Sequence, residues 1–178
     1  RDYFEALAPI YEKHVCRGPA AYLRRRERQI LLRLAGLHPS SPAPHPGGRL
    51  LDAGCGSGFY TRAAKAHAYR VTAIDVSPRM IAEVVAEADE AWVADLETWE
   101  TDQRFDAIIC VGVLDFVTDP ELCMRKLAGW LRPGGRLTVL VPRTGWGGKI
   151  YRIEKRFSGL RVNLFAPEWP ELIARRLD

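Results

Sequence analysis

The chain changes its hydrophobic period at about residue 49. Before this point, apolar residues recur at the three- and four-residue spacing of helices. This spacing predicts a short helix over residues 3–16 and a second helix from about Ala20 to Leu37. Arginines cover one side of the second helix, and the apolar positions of its other side are Leu23, Ile30, Leu31, Leu34 and Leu37. Residues 39–48 then hold four prolines, two serines and two glycines, which predicts an exposed linker.

From Arg49 onward, short β-branched or apolar runs alternate with helical segments. The predicted strands are Arg49–Asp52, Arg70–Ile74, Ala91–Ala94, Phe105–Val111 and Arg136–Val141. The first predicted helix begins after a glycine-rich turn and ends at about Ala68, and two others cover Pro78–Ala88 and Pro120–Leu131. The run Phe105–Val111 is almost unbroken in its hydrophobicity, as in a parallel strand covered on both faces. The alternation therefore predicts a doubly wound α/β sheet.

Composition places the chain among ordinary globular domains. It has 178 residues, of which 47% are hydrophobic and 27% charged. No apolar run approaches the ~18 residues of a membrane span, and no signal peptide opens the chain. The four cysteines and four histidines show no zinc or disulfide-exchange spacing, so we expect no metal, reduced thiols and a cytoplasmic protein.

The net charge of +4 conceals an uneven distribution. Lysine and arginine outnumber acids nine to four over residues 1–49 and eight to four over residues 143–178, whereas acids lead fourteen to nine over residues 50–142. Basic flanks of this kind indicate a nucleic-acid or membrane partner, or an acidic substrate. The alternative is that the arginines only solvate helix faces.

The strongest local signal is the sequence Leu50-Leu-Asp-Ala-Gly-Cys-Gly-Ser-Gly58. Glycines at every second position of a strand-to-helix turn let the backbone approach a ligand, and the helix N-terminus favours an anion. Two acids follow the next two strands: Asp75 suits the hydroxyls of a ribose, and Asp95 suits an adenine amino group. With Asp52 before the first glycine, the pattern predicts a site for an adenosine that has a small charged tail.

Other nucleotide motifs are absent. A G-x-G-x-x-G motif would need glycine where Phe59 stands, and the chain has no G-x-x-x-x-G-K-[ST] loop. The ordered segments instead resemble class I S-adenosylmethionine-dependent methyltransferases, with a cap similar to the small-molecule subgroup of quinone and natural-product methylation. The segments that support this resemblance are Leu51–Gly58, Asp75–Met80, Ala94–Leu96, Phe105–Leu114, Leu131–Gly135 and, for the cap, Tyr3–Tyr11.

The resemblance implies S-adenosylmethionine as the cofactor and a role for each matching position. The glycines and the Cys55 backbone would hold the methionine part, Asp52 would lie by its ammonium group, and Asp75 would bind the ribose. The remaining contacts would come from Val76 and Met80 beside the adenine, Asp95 and Leu96 at its edge, and Cys110 and Val111 below the sulfonium. Tyr3 and Tyr11 would close over the site. The full set of implied cofactor contacts is Tyr3, Tyr11, Asp52, Gly54, Cys55, Gly56, Gly58, Asp75, Val76, Met80, Asp95, Leu96, Cys110 and Val111.

Two residues are candidates for proton removal from the methyl acceptor. Asp115 follows the fourth strand, where enzymes of the family often have His or Glu near the acceptor; its alternative is a solvent-exposed acid beside a helix. His14 is the second candidate, with a solvated helix position as its alternative.

The resemblance thus implies a Rossmann-like methyltransferase fold. It also implies an enzyme that methylates oxygen, nitrogen or carbon of a small organic molecule. We expect an N-terminal helical cap over residues 1–38, the linker over 39–48, the cofactor-binding core over 49–142, and a substrate-side segment over 143–178 in which the family's last two strands are missing. An RNA methyltransferase and a non-catalytic cofactor-binding partner subunit remain alternatives.

Overall fold

The computed structural model describes residues 20–40, 45–169 and 172–173. The predicted helix over residues 3–16, with Tyr3, Tyr11 and His14, lies outside the described residues. None of the helices described is long and apolar enough to cross a bilayer. Within the same ranges, no three acidic, histidine or cysteine side chains lie together as a metal site.

A five-stranded parallel sheet forms the centre of the molecule. The strands are β1 (Arg49–Ala53), β2 (Arg70–Asp75), β3 (Glu90–Val93), β4 (Phe105–Val111) and β5 (Leu131–Leu140). Their order across the sheet is β3-β2-β1-β4-β5, and every neighbouring pair is parallel. The predicted doubly wound α/β sheet is confirmed. Because the strand order reverses between β1 and β4, a crevice opens at their carboxyl ends.

Five helices have both of their bounds in the described residues. They are α1 (Ala20–Ala35), α2 (Phe59–Ala66), α3 (Pro78–Val84), α4 (Pro120–Gly129) and α5 (Trp146–Phe157). Helix α3 begins where its sequence predicts, because Pro78 stands at the first turn and the Ser77 hydroxyl accepts a hydrogen bond from the Met80 amide (3.3 Å). Asp119 caps α4 in the same way, accepting from the amide of Leu122 (2.9 Å).

Successive strand residues pack on opposite faces of the sheet. Leu50 and Ile109 belong to the cluster that α1 and α2 cover. Their neighbours Leu51 and Ile108 belong to the cluster on the other face, with Leu127 of α4. All five side chains are fully or almost fully buried. The two clusters explain why the central strands are apolar at consecutive positions.

The buried face of α1 differs from the predicted one. Leu23, Ile30 and Leu34 are 68%, 54% and 59% exposed, whereas Leu31, Leu32, Ala35 and Leu37 are buried. The prediction mixed two faces of the helix, because the sheet covers only the side that bears Leu31, Leu32 and Ala35.

Several element boundaries, and one whole helix, differ from the sequence prediction. Strand β5 begins at Leu131 and passes through Pro133-Gly134-Gly135, and the pairing register shifts between Phe105 and Ala107 at this point. Helices α2, α3 and α4 end two to four residues earlier than predicted. Helix α5 was missed, since Gly147 and Gly148 weaken its helical signal. Among the described residues the sheet has no strand beyond β5, and Arg143 forms one isolated parallel bridge with Phe165.

Candidate functional site

The glycine-rich turn joins β1 to α2 at the crevice. All three of its glycines have a left-handed backbone, with φ of 80° at Gly54, 50° at Gly56 and 82° at Gly58. A Cβ atom on Gly54 would collide with Cγ2 of Val113, and one on Gly58 would lie 2.5 Å from Cγ1 of Val84. Glycine is therefore required both by backbone conformation and by the space that the neighbouring chain leaves.

Asp75 is held against this turn by backbone amides. Its Oδ2 accepts a hydrogen bond from the Gly56 amide (2.9 Å), and its Oδ1 accepts one from the Ser77 amide (2.9 Å). The two amide bonds thus fix the orientation of the carboxylate beside the turn.

A cavity of about 210 Å³ lies at the carboxyl ends of the strands. The chain after β4 forms its far wall, with Gly112, Val113, Phe116 and Val117. Eight of the residues predicted from the sequence meet at this cavity, namely Gly54, Gly56, Asp75, Val76, Met80, Asp95, Leu96 and Val111. The Asp95 carboxylate accepts from the Glu97 amide (2.9 Å), which orients it within its own turn.

A second cavity of about 60 Å³ lies on the α1 side of the turn. It shares Gly54, Gly56 and Val111 with the first and adds Cys55. Helix α1 closes it with Arg24, Glu27 and Arg28, which the sequence reading missed. Arg24 lies 3.6 Å from Glu27, and the Arg28 guanidinium lies 4.1 Å from the Phe59 ring centroid. Only the basic charge of the N-terminal flank could have indicated the two arginines.

Asp52 lies beneath the turn and lines neither cavity. It is 2% exposed, and its Oδ2 accepts a hydrogen bond from the Thr61 hydroxyl (2.7 Å). Burial raises the pKa of its carboxyl from 3.8 to about 6, against the lowering effect of the Thr61 bond. Its charge acts on the turn from below.

Gly58 and Cys110 also line neither cavity. Cys110 is fully buried near the end of β4, and its neighbour Val111 reaches both cavities. Burial raises the pKa of the Cys110 and Cys55 thiols far above the ordinary value. Both cysteines are buried as small side chains, Cys110 completely and Cys55 almost so.

Asp115 is buried, so the alternative of a solvent-exposed acid is wrong. It is 2% exposed, and its Oδ2 accepts a hydrogen bond from the hydroxyl of Tyr151 (2.8 Å) on α5. Its Oδ1 is buried and has no hydrogen-bond partner among the described residues. Burial raises the pKa of this carboxyl, although the Tyr151 hydroxyl and the cations Lys155 and Arg24 act to lower it.

The chain after α5 fastens the Asp115 loop. The amide of Asn163 donates to the Asp115 carbonyl (2.8 Å), and its side chain donates to the carbonyls of Leu114 (3.2 Å) and Val117 (2.8 Å). The C-terminal segment thus packs against the loop that forms the far wall of the main cavity. Tyr151 and Asn163 were not predicted, because neither lies near Asp115 in sequence.

Comparisons with known proteins find a matching family model and curated relatives. A family model described as a methyltransferase domain matches residues 51–139, half of the chain. The ubiquinone biosynthesis O-methyltransferase of Coxiella burnetii (strain Dugway 5J108-111) is 34% identical over 114 residues, which cover 60% of this chain and 49% of the relative. The chain therefore spans about half the length of the curated relatives it matches.

Solved methyltransferases share the fold at low identity. Magnesium protoporphyrin IX methyltransferase from Synechocystis PCC 6803, with bound S-adenosylmethionine, has a TM-score of 0.72 at 19% identity, covering 99% of this chain and 83% of its own. The N-methyltransferase NodS from Bradyrhizobium japonicum WM9, with S-adenosylhomocysteine, has a TM-score of 0.65 at 21% identity, covering 99% and 85%.

Proposed function

We propose that this chain, which belongs to the methyltransferase domain family, binds S-adenosylmethionine and transfers its methyl group to a small organic acceptor. The observation that supports this most directly is the anchored Asp75 carboxylate beside a turn of three left-handed glycines, at the rim of a cavity between β1 and β4. The similarity to an O-methyltransferase of ubiquinone biosynthesis favours a small-molecule acceptor.

The residues present fit the two ends of such a cofactor. Asp75 would accept the ribose hydroxyls, Val76 and Met80 would flank the adenine, and Asp95 and Leu96 would lie at its edge. The methionine end would lie over the turn, where Gly54 and Gly56 line both cavities.

The second cavity would give the methionine end two further contacts. Arg24 and Arg28 line it and suit the carboxylate of the amino acid. Asp52 would favour the ammonium group through its charge from beneath the turn. Tyr3 and Tyr11 stay predicted cap contacts, and their positions lie outside the described residues.

When bound, the sulfonium supplies an activated methyl group for in-line displacement. The chain's own contribution is a dry and aligned cavity. Val111, Val113, Phe116 and Val117 present apolar side chains beyond the turn, and these exclude water from the space that an acceptor would enter. Cys110 supports Val111 from within the sheet.

We further propose that Asp115 receives the proton of a hydroxyl acceptor. Burial raises the pKa of its carboxyl, the Tyr151 hydroxyl holds one of its oxygens, and the other oxygen has no hydrogen-bond partner among the described residues. Asp115 lines neither cavity, but its neighbours Val113 and Phe116 line the main one. His14 stays an untested candidate, outside the described residues. We also propose a cytoplasmic protein, because Cys55, Cys110 and Cys123 are unpaired and buried.

Calorimetry with S-adenosylhomocysteine tests the cofactor site. We expect the wild-type chain to bind and Asp75→Ala to weaken binding by about 1–3 kcal/mol, or about 5- to 150-fold. Asp89→Ala is the matched control, because Asp89 also accepts a strand amide (Val71, 2.7 Å) but does not line the cavity. Failure of folded wild-type protein to bind would overturn the proposal.

Methyl-labelled S-adenosylmethionine tests the reaction against a panel of hydroxylated, amino and acidic-carbon acceptors. Label in a small product supports the proposal, label in RNA supports an RNA methyltransferase, and binding with no transfer supports a non-catalytic partner subunit. None of the comparisons supports the last two.

A separate pair of variants tests the proton acceptor. Asp115→Asn should lower kcat with little change in S-adenosylhomocysteine affinity. The Tyr151 hydrogen bond lowers the pKa of Asp115, so its loss in Tyr151→Phe should raise that pKa. The acidic limb of the kcat/KM profile should therefore move to higher pH. Tyr22→Phe, on the outer side of α1, should leave the profile unchanged. An unmoved profile in Tyr151→Phe would contradict the assignment.

A further inference from the structure

One residue of the C-terminal segment holds the loop that forms the far wall of the main cavity. We call this loop, residues 112–117, the wall loop. The backbone amide of Asn163 donates to the carbonyl of Asp115 (2.8 Å). Its side-chain amide donates to the carbonyls of Leu114 (3.2 Å) and Val117 (2.8 Å). Asn163 itself lines neither cavity, so it contacts the wall loop without contacting the space for a ligand.

The chemistry of an asparagine side chain suits this position. Its amide nitrogen has two N–H donors, and both neighbours are carbonyl oxygens, so the nitrogen must face them. Aspartate has the same shape but would set a carboxylate oxygen against the two carbonyls. Alanine would leave both carbonyls without this donor. The position of the wall loop therefore depends on the donors of one side chain.

Asn163 is fixed to the end of the sheet through the residues that follow it. Phe165 is 4% exposed and forms a parallel bridge with Arg143, just after β5. The Phe165 amide donates to the carbonyl of Pro142 (3.0 Å), and the Phe165 carbonyl accepts from the amide of Thr144 (2.8 Å). The hydrogen bonds of Asn163 thus join the wall loop to the sheet.

The two ends of the wall loop have contacts of their own. Near its start, Val113 lies so close to the glycine-rich turn that a Cβ on Gly54 would collide with its Cγ2. Just after its end, the Glu97 carboxylate accepts from the amide of Thr118 (2.9 Å). Loss of the Asn163 side chain should therefore loosen the middle of the wall loop and leave its ends in place.

We propose that Asn163 is a positioning residue for methyl transfer. It acts through the wall loop, because it keeps the apolar side chains of the cavity wall and the Asp115 carboxyl in the place that the acceptor requires. Most of the residues that would hold the cofactor instead follow β1, β2 and β3. Removal of the Asn163 side chain should therefore lower turnover far more than cofactor affinity. This role rests on the proposed methyl transfer.

Hydrogen exchange followed by mass spectrometry tests the effect on the wall loop without an acceptor. In Asn163→Ala and Asn163→Asp, the amides of residues 112–117 should exchange at least tenfold faster than in the wild type, whereas those of β1 and α2 should keep their rates. Arg161→Ala is the matched control, since Arg161 is exposed on the same segment, and its wall loop should exchange as in the wild type. Unchanged exchange in both Asn163 variants would overturn the proposal. So would faster exchange throughout the sheet, because that would show a general loss of stability.

Calorimetry and methyl transfer measure the functional effect. For Asn163→Ala we expect kcat to fall at least tenfold at saturating S-adenosylmethionine, and the affinity for S-adenosylhomocysteine to change less than threefold. Unchanged kcat, or an equal fall of kcat and affinity, would overturn this role alone. Wild-type protein that transfers no methyl group to any acceptor would refute the proposed function and this role together.

Discussion

Replacing Gly54 by alanine imposes two separate penalties on the turn. The backbone at Gly54 has φ of 80°, which costs an L-residue about 1–2 kcal/mol. The new methyl group would also collide with Cγ2 of Val113, and overpacking of this kind costs about 1–3 kcal/mol. We therefore expect Gly54→Ala to lower the free energy of unfolding by about 2–5 kcal/mol.

The structure offers a control for each penalty. Gly112 has φ of 67° and no atom within 4 Å of a Cβ built on it, so Gly112→Ala should show the backbone cost alone, about 1–2 kcal/mol. Val113→Ala removes both Cγ atoms and leaves its Cβ 3.5 Å from the new methyl group, an ordinary contact. In the double variant Gly54→Ala/Val113→Ala the collision should therefore be relieved, whereas the backbone cost at position 54 should remain.

Urea denaturation of the wild type, the two single variants and the double variant gives the coupling energy between Gly54 and Val113. We expect a favourable coupling of about 1–3 kcal/mol, equal to the relieved overpacking. Additive effects would show that the turn does not press on the loop after β4. A loss for Gly112→Ala as large as for Gly54→Ala would show that backbone strain accounts for both.

Three further outcomes follow from burial and capping. Because the pKa of Asp52 is raised to about 6 in the folded state, its protonated carboxyl stabilises the fold at low pH, and this stabilisation is lost as pH rises through about 6. In urea denaturation the wild type should therefore lose up to about 3 kcal/mol relative to Asp52→Asn between pH 4 and pH 7.5. A constant difference would contradict this. Ser77→Ala should lower stability by about 1 kcal/mol in the same assay, because the Met80 amide loses its cap, and an unaltered midpoint would count against the cap. Thiol titration of the native protein at pH 8 should leave the buried Cys55, Cys110 and Cys123 unmodified. Prompt labelling of any of the three would refute its burial.

The sequence was sufficient where the information is local. The glycines of the turn, the proline and serine at the start of α3, and the apolar run of β4 each determine a backbone conformation within a few residues. The alternation of strands and helices then requires a parallel sheet, whose carboxyl ends share one edge. Asp75 and Asp95 follow strands of that sheet, which is why both reach the predicted cavity.

Local patterns failed where two faces compete or where a breaker is tolerated. The leucines of α1 fit either of two helical faces, and only packing on the sheet selected Leu31 and Leu32 over Leu23 and Leu34. The last strand was predicted only from Arg136, after Pro133 and two glycines, but β5 begins at Leu131 and accommodates these residues within its irregular register against β4.

The sequence by itself determined the parallel sheet, the left-handed turn and the acids at the strand ends, because each depends on backbone preference and hydrophobic period. Only the tertiary structure decided that Asp115 is buried and bonded to Tyr151, 36 residues further along the chain. It also placed Asp52 beneath the turn, brought Arg24 to the second cavity, and left Trp146 and Phe157 of α5 exposed. Removal of water and the pairing of distant side chains depend on how elements pack together, and no periodicity along the chain encodes that packing.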